Sequence, residues 1–306
     1  MRRALAAALA AALPALGAEP PVLWHTQIDN DVPFHTDRWY TSGVRITRSQ
    51  ALAADDPLAA AGAYGRSAQR LDIGIIHEIY TPETDLGAVG MFDRPYAGRL
   101  LVSALRHVWG PGRLDTVGVE AGVTGPSALA RQSQSLFHHL VPGPRTDWSR
   151  QLPDRADVQV VAVRSQDVSP AIVPGAIIVH GGAVAGSVIT FAHAGLEWRS
   201  RAGAPASALL RLAGTPPVAT DGSHRLAFFF GASVRGVMRN RLVERNQDDP
   251  LEGLSKKRWT HRYALGFAWP ATWGTLTFGV AEDSAEFSGQ RSPQHFGSLA
   301  IAIPFD

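Results

Sequence analysis

Tyr263-Ala264-Leu265-Gly266-Phe267-Ala268-Trp269, followed after a short break holding Pro270 and Gly274 by Thr275-Leu276-Thr277-Phe278-Gly279-Val280-Ala281-Glu282-Asp283, is the stretch that decides the fold. Side chains of an extended chain alternate between two faces. In the first segment Tyr263, Leu265, Phe267 and Trp269 therefore share one face, and Ala264, Gly266 and Ala268 share the other. The second segment repeats this, with Leu276, Phe278 and Val280 against Thr275, Thr277, Gly279 and Ala281. The final segment puts Leu299, Ile301, Ile303 and Phe305 outward and Ser298, Ala300 and Ala302 inward. Large apolar residues on one face and small or polar ones on the other suit a membrane barrel, whose outside is wetted by lipid.

A soluble β-sandwich gives similar alternation, and three further features favour the barrel. Trp24, Trp198, Trp269 and Trp273 fall near strand ends, where aromatic girdles meet the bilayer interface. Phe305 is a near-terminal aromatic of the bacterial outer-membrane kind, although Asp306 follows it. The N-terminus reads as an export signal: Arg2 and Arg3, an apolar run from Ala4 to Leu13, Pro14 as a breaker, then the small residues Ala15, Gly17 and Ala18. Cleavage after Ala18 divides the chain into a signal peptide, 1–18, and one barrel domain, 19–306.

The 306 residues hold 18% charged residues, 30 glycines and no cysteine, with a formal charge of +2. Disulfides and thiolate metal sites are excluded. The charge balance is too mild, and too evenly spread, to argue for a nucleic-acid partner.

Working outward from the C-terminal third, the alternation predicts an all-β, antiparallel transmembrane barrel of about twelve strands, an even number as such barrels require. The segments are 22–30, 37–50, 69–80, 97–108, 115–124, 155–165, 171–184, 188–201, 224–240, 257–269, 274–284 and 296–305. Residues 169–196 lack Asp, Glu, Lys and Arg, a pattern also seen in membrane helices. Pro174, Gly175, Gly181, Gly182 and Gly186, with many β-branched residues, make it instead two strands joined by a hairpin near Ala185 to Ser187. One segment, 127–140, departs from period two: Leu129, Ser133, Leu136 and Leu140 line one face of a helix and Arg131, Gln134 and His138 another. Gly125 and Pro126 precede it, so a short helix on an extracellular loop is predicted.

Three stretches are too polar to be only barrel wall. Asp29-Asn30-Asp31 with Thr36-Asp37-Arg38-Trp39-Tyr40-Thr41-Ser42-Gly43 crowds carboxylate, amide and hydroxyl oxygens, which can hold a hard cation or simply form a solvated turn. Asp93-Arg94-Pro95-Tyr96-Ala97-Gly98 opens a strand. Gly122-Val123-Thr124-Gly125-Pro126 leads into the helix that carries Gln134, His138 and His139. No G-x-S-x-G elbow, H-E-x-x-H pair or Walker loop is present.

In order along the chain, these stretches, with Ile79-Tyr80-Thr81-Pro82, Trp148, Gln151, Val234-Arg235 to Asn240 and Ser284 to Gln290, resemble the LpxR-type lipid A 3′-O-deacylase family, whose members commonly show T-D-R-Y-Y-T-N-G where this chain has residues 36–43. The resemblance implies a twelve-stranded outer-membrane barrel. Its site would lie near the extracellular rim, between the wall and a loop helix. The activity implied is calcium-dependent removal of the 3′-linked acyloxyacyl group of lipid A, by a mechanism like that of secreted phospholipases. By the same resemblance His138 is the base that activates water. Asn30 and Asp31 are the polar pair and the metal ligands, and Thr41 is a site threonine. Asp37, Tyr40 and Gln134 support them. The basic residue of the family's third strand has no clear counterpart, with His77 and Glu78 near its place. Pro142, Gly143 and Pro144 stand where some members carry an acidic residue. Lipopolysaccharide is the expected partner. A general outer-membrane phospholipase and a non-enzymatic porin-like barrel are the alternatives.

Overall fold

A computed structural model describes residues 22–53, 69–83, 93–140, 146–200, 226–243 and 254–305. The expected signal peptide, residues 1–18, and the expected strand ends at 201 and 224–225 lie outside the described residues.

Twelve strands form one closed antiparallel barrel: β1 (Val22–Asn30), β2 (Trp39–Ala51), β3 (Gln69–Thr81), β4 (Ala97–Gly110), β5 (Arg113–Thr124), β6 (Arg155–Asp167), β7 (Ala176–Gly186), β8 (Ile189–Arg199), β9 (Ala227–Asn240), β10 (Trp259–Ala271), β11 (Gly274–Asp283) and β12 (Gln294–Phe305). Each pairs with its sequence neighbours, and β1 closes on β12 with Val22 opposite Phe305. Closure satisfies every strand's backbone groups without water, the condition for crossing a bilayer. The end that holds Val22, Phe305 and the two-residue turns 111–112 and 272–273 is periplasmic, and the opposite rim is extracellular.

The expected alternation of β12 is observed, with Ser298, Ala300 and Ala302 buried and Leu299 and Phe305 exposed. Exposed Ile73, Ile75, Val102, Val117 and Val119 belong to the outward, lipid-facing band. Trp24, Trp198, Trp269 and Trp273 all fall at the periplasmic end, and exposed Trp259 and Tyr263 stand towards the other.

Beside the small inward residues of β10, β11 and β12, the lumen holds large charged ones. Arg99 of β4 donates to Asp157 (2.6 Å) and Gln159 (3.1 Å) of β6 and to Glu78 (3.0 Å) of β3. His107 lies 3.1 Å from Asp72 and 2.8 Å from Thr116. Arg262 pairs with Asp283. These buried charges are paired, as burial demands. They cross-link neighbouring strands, and Arg99, Glu78 and Gln159 line a luminal cavity together with His25, Gln27 and Glu120.

Among the strand ends that differ from those expected, two have a reason in the local backbone. β2 begins at Trp39 rather than 37, because Trp39 adopts a left-handed φ of 61° and the backbone N–H of Arg38 is drawn to Asp31. β7 begins at Ala176 rather than 171, after a turn that ends at Gly175 with φ 90°. The hairpin between β7 and β8 turns at Ser187 and Val188, beside its predicted place. The loop helix is α1 (Ala130–Leu140), preceded by a 3-10 turn, Pro126–Ala128. Leu129, at φ 61°, separates the two and breaks the continuous helix predicted from 127.

Candidate active site

Helix α1 lies on the outer surface of the barrel, not over its mouth. Gly98 of β4 faces outward beneath it, and a Cβ added there would come within 2.6 Å of the Ala130 methyl and 3.1 Å of the Ala128 methyl. The absence of a side chain at 98 lets the helix backbone rest on the wall. Ile79, Tyr96, Ala130 and Trp148 pack into a buried cluster that holds it there. His77, also outward on β3, reaches the Ala128 carbonyl through Nε2 at 2.8 Å. Asp154 accepts from the backbone N–H (2.7 Å) and hydroxyl (2.8 Å) of Ser127, fixing the start of the segment.

His138 projects from the helix towards the loop joining β1 and β2. Its Nε2 is 3.4 Å from Oδ2 of Asp37. Gln134, one helical turn earlier on the same face, donates through Nε2 to both Asp37 oxygens, at 3.0 and 3.3 Å. Its Oε1 accepts from the Trp148 indole at 3.0 Å, so both ends of the amide are specified. Trp148 in turn packs on Tyr96, with ring centroids 4.7 Å apart. Burial raises the Asp37 carboxyl above the ordinary aspartate range, opposed by the His138 charge and by hydrogen bonds from Thr41, Gln134 and His138. Thr41 is the extra residue at a register shift between β2 and β3. Its hydroxyl is 2.7 Å from that of Thr81, which donates to the Asp37 carbonyl at 3.0 Å.

Asp31 is fully buried at the end of β1. Its Oδ2 accepts from the Thr36 hydroxyl (2.9 Å) and the Arg38 N–H (3.0 Å), while Oδ1 has no hydrogen-bond partner. Burial, with the nearby Asp37 charge adding to it, pushes the carboxyl up to about 8. A buried oxygen without a partner is costly. It is also the oxygen a hard cation would satisfy, so this residue fits a calcium ion. Among the described residues no group of three or more His, Asp or Glu side chains is set to hold a metal, so backbone, hydroxyl or water oxygens would complete the shell.

The structure thus brings together Asp31, Asp37, Thr41, Gln134 and His138. Asn30 adjoins them on the outward parity of β1, with no bulge in that strand, and its Oδ1 accepts from Val32 at 2.8 Å. Tyr40 stands apart. It faces the lumen, donates to Asp29 at 2.9 Å and packs edge-on to Phe296. His139 turns outward, with Nδ1 2.6 Å from the Ser135 carbonyl. Of the two residues near the third-strand position, His77 lies under the helix and Glu78 in the lumen. Sequence reading did not single out Thr81. It lay within Ile79-Tyr80-Thr81-Pro82, one of the stretches of the resemblance, but was given no role at the site.

The protein-family model described as "Outer membrane protein LpxR" matches residues 4–305. Among solved structures, LpxR from Salmonella typhimurium superposes with a TM-score of 0.74 at 16% identity, covering 93% of this chain and 100% of that one. The translocator domain of the autotransporter NalP from Neisseria meningitidis gives 0.47 at 13% identity, over 99% of this chain and 94% of that one. No curated protein sequence matches.

Proposed function

Because the chain belongs to the LpxR family of outer membrane proteins, we propose that it is a lipid A 3′-O-deacylase that hydrolyses the 3′-linked acyloxyacyl ester in the outer leaflet. The observation that supports this best is the His138–Asp37 pair, 3.4 Å apart, beside a helix seated on the outward face of the wall. The outward face of such a barrel is the side that meets lipid, the substrate class of this reading.

The chemistry follows from the pair. With Nε2 turned to the Asp37 carboxylate, Nδ1 is the nitrogen that takes a proton from water. The hydroxide so formed adds to the ester carbonyl. Collapse of the tetrahedral intermediate breaks the bond to the sugar oxygen, and the imidazolium returns its proton to that oxygen. Asp37 keeps one tautomer and offsets the charge gained by the ring. Gln134 and Trp148 hold Asp37 in place. Asp31, with Asn30 beside it, would hold calcium, which when bound polarises the ester carbonyl and stabilises the oxyanion. Pro142, Gly143 and Pro144 carry no acid for the base, and Asp37 supplies one from another loop.

Mass spectrometry of lipid A from cells with and without the protein tests the reading. The expected product lacks the 3′ acyloxyacyl group and depends on His138. Unchanged lipid A alongside newly released fatty acid from glycerophospholipids would replace this function by that of a phospholipase.

A further inference from the structure

Helix α1 has three sides. At 100° per residue, Ala130, Gln134 and His138 fall within about 80° of one another and face the wall. Arg131, Ser135 and His139 form a second, polar and exposed stripe. Leu136 and Leu140 lie on the remaining side, 68% and 78% exposed, with Phe137, 38% exposed, between them and the wall. Nothing among the described residues covers these leucines. An apolar stripe of this kind on a water-exposed loop costs free energy unless something apolar meets it.

The position of the helix says what meets it. It rests on the outward face of β3 and β4, over Gly98 and Ile79. Val102, exposed in the lipid-facing band, lies four residues further along β4, or about 13 Å at the rise of a strand. The apolar band of such barrels is about 25 Å tall, so the helix lies at its upper edge. Leu136 and Leu140 point away from the barrel, into the medium that surrounds the wall at this height, and the polar stripe flanks the helix on its other exposed side.

We infer that α1 is an interfacial helix whose Leu136–Leu140 side is embedded among the acyl chains of the outer leaflet, with its Arg131–Ser135–His139 side in water. This geometry sets the depth of the wall-facing side, and hence of His138, at the level where an acyl ester joins the headgroup. The inference uses only the barrel's place in the membrane and the faces of the helix, and it holds whether or not His138 is a base.

The absence of cysteine makes the test direct. Single cysteines replace Arg131, Ser135, Leu136 or Leu140 in the full-length protein, each carries a nitroxide, and the protein is reconstituted into phospholipid vesicles. Power saturation then compares collision with oxygen, which concentrates among acyl chains, and with a nickel chelate, which stays in water. Labels at 136 and 140 should be oxygen-accessible and nickel-poor by several-fold relative to 131 and 135. Nickel accessibility equal at all four positions would place the whole helix in water and overturn the inference. Shielding of 136 and 140 from both reagents would overturn it too, by showing a protein partner or second copy on that face.

Discussion

Oδ2 of Asp37 lies 3.4 Å from Nε2 of His138, although one residue sits on the loop between β1 and β2 and the other on the helix between β5 and β6. The pair exists only because α1 folds back over the wall. His139, the next residue, is turned to the Ser135 carbonyl and cannot share its role.

His138→Ala should lower deacylation by about 10²–10⁴, the usual loss on removing a positioned general base. His139→Ala should stay within several-fold of wild type. Lipid A profiles at matched expression decide between them. A dead His139→Ala with an active His138→Ala would reverse the assignment, and activity in both would remove histidine from the mechanism.

Asp37→Asn should reduce kcat by a similar order, with KM little changed, because an amide in this place no longer enforces one imidazole tautomer or offsets its charge. The barrel is expected to keep its heat-modifiable migration. A KM effect without a kcat effect would show that Asp37 binds substrate and does not orient the base.

How much of this was legible in the sequence depends on how local each feature is. β11 and β12 announce themselves because one face meets lipid along its whole length, and Leu299 and Ile301 can do nothing else. The loop helix was visible in the spacing of Leu136 and Leu140. Its interruption at Leu129 was not, since a left-handed leucine leaves no compositional mark. The start of β2 was misplaced for the same reason at Trp39. The luminal charges of β3, β4 and β6 blurred the alternation there, because the partners of Arg99 are on other strands and pairing is a property of the closed barrel. Asp31 and His138 were found through family resemblance. The tie from Asp37 through Gln134 to Trp148 joins segments distant in sequence, and only the fold shows it.

The Asp31 carboxyl gives a stability prediction in the absence of metal. An unfolded aspartate ionises near pH 4, whereas Asp31 in the fold is pushed up to about 8. The folded state therefore keeps a proton that the unfolded state has lost between those values. Stability falls as pH rises through that window, by at most about 5 kcal/mol. With chelator at pH 8, Asp31→Asn should lose its heat-modifiable band at a higher temperature than wild type, and the difference should vanish near pH 4. Calcium should stabilise the wild type and not the variant. A variant no more stable than wild type at pH 8 in chelator would show that Asp31 is not strained by its burial. Stabilisation of both by calcium would move the metal elsewhere.

The contact between Gly98 and Ala130 gives the final prediction. A Cβ at 98 would stand 2.6 Å from the Ala130 methyl, closer than carbon atoms approach, so one side must yield. The wall cannot, because β4 is hydrogen-bonded to β3 and β5 throughout. In Gly98→Ala the helix should lift, drawing His138 away from Asp37. A displacement of order 1 Å costs roughly 10²-fold in rate. The barrel itself should migrate as before, since position 98 faces outward. Ala130→Gly frees the same space from the helix side, at about 1 kcal/mol of helix propensity. The double variant Gly98→Ala, Ala130→Gly should therefore recover most of the activity that Gly98→Ala loses, a coupling expected only of residues in contact. Equal loss in the single and double variants would mean that Gly98 serves the strand and not the seating of the helix.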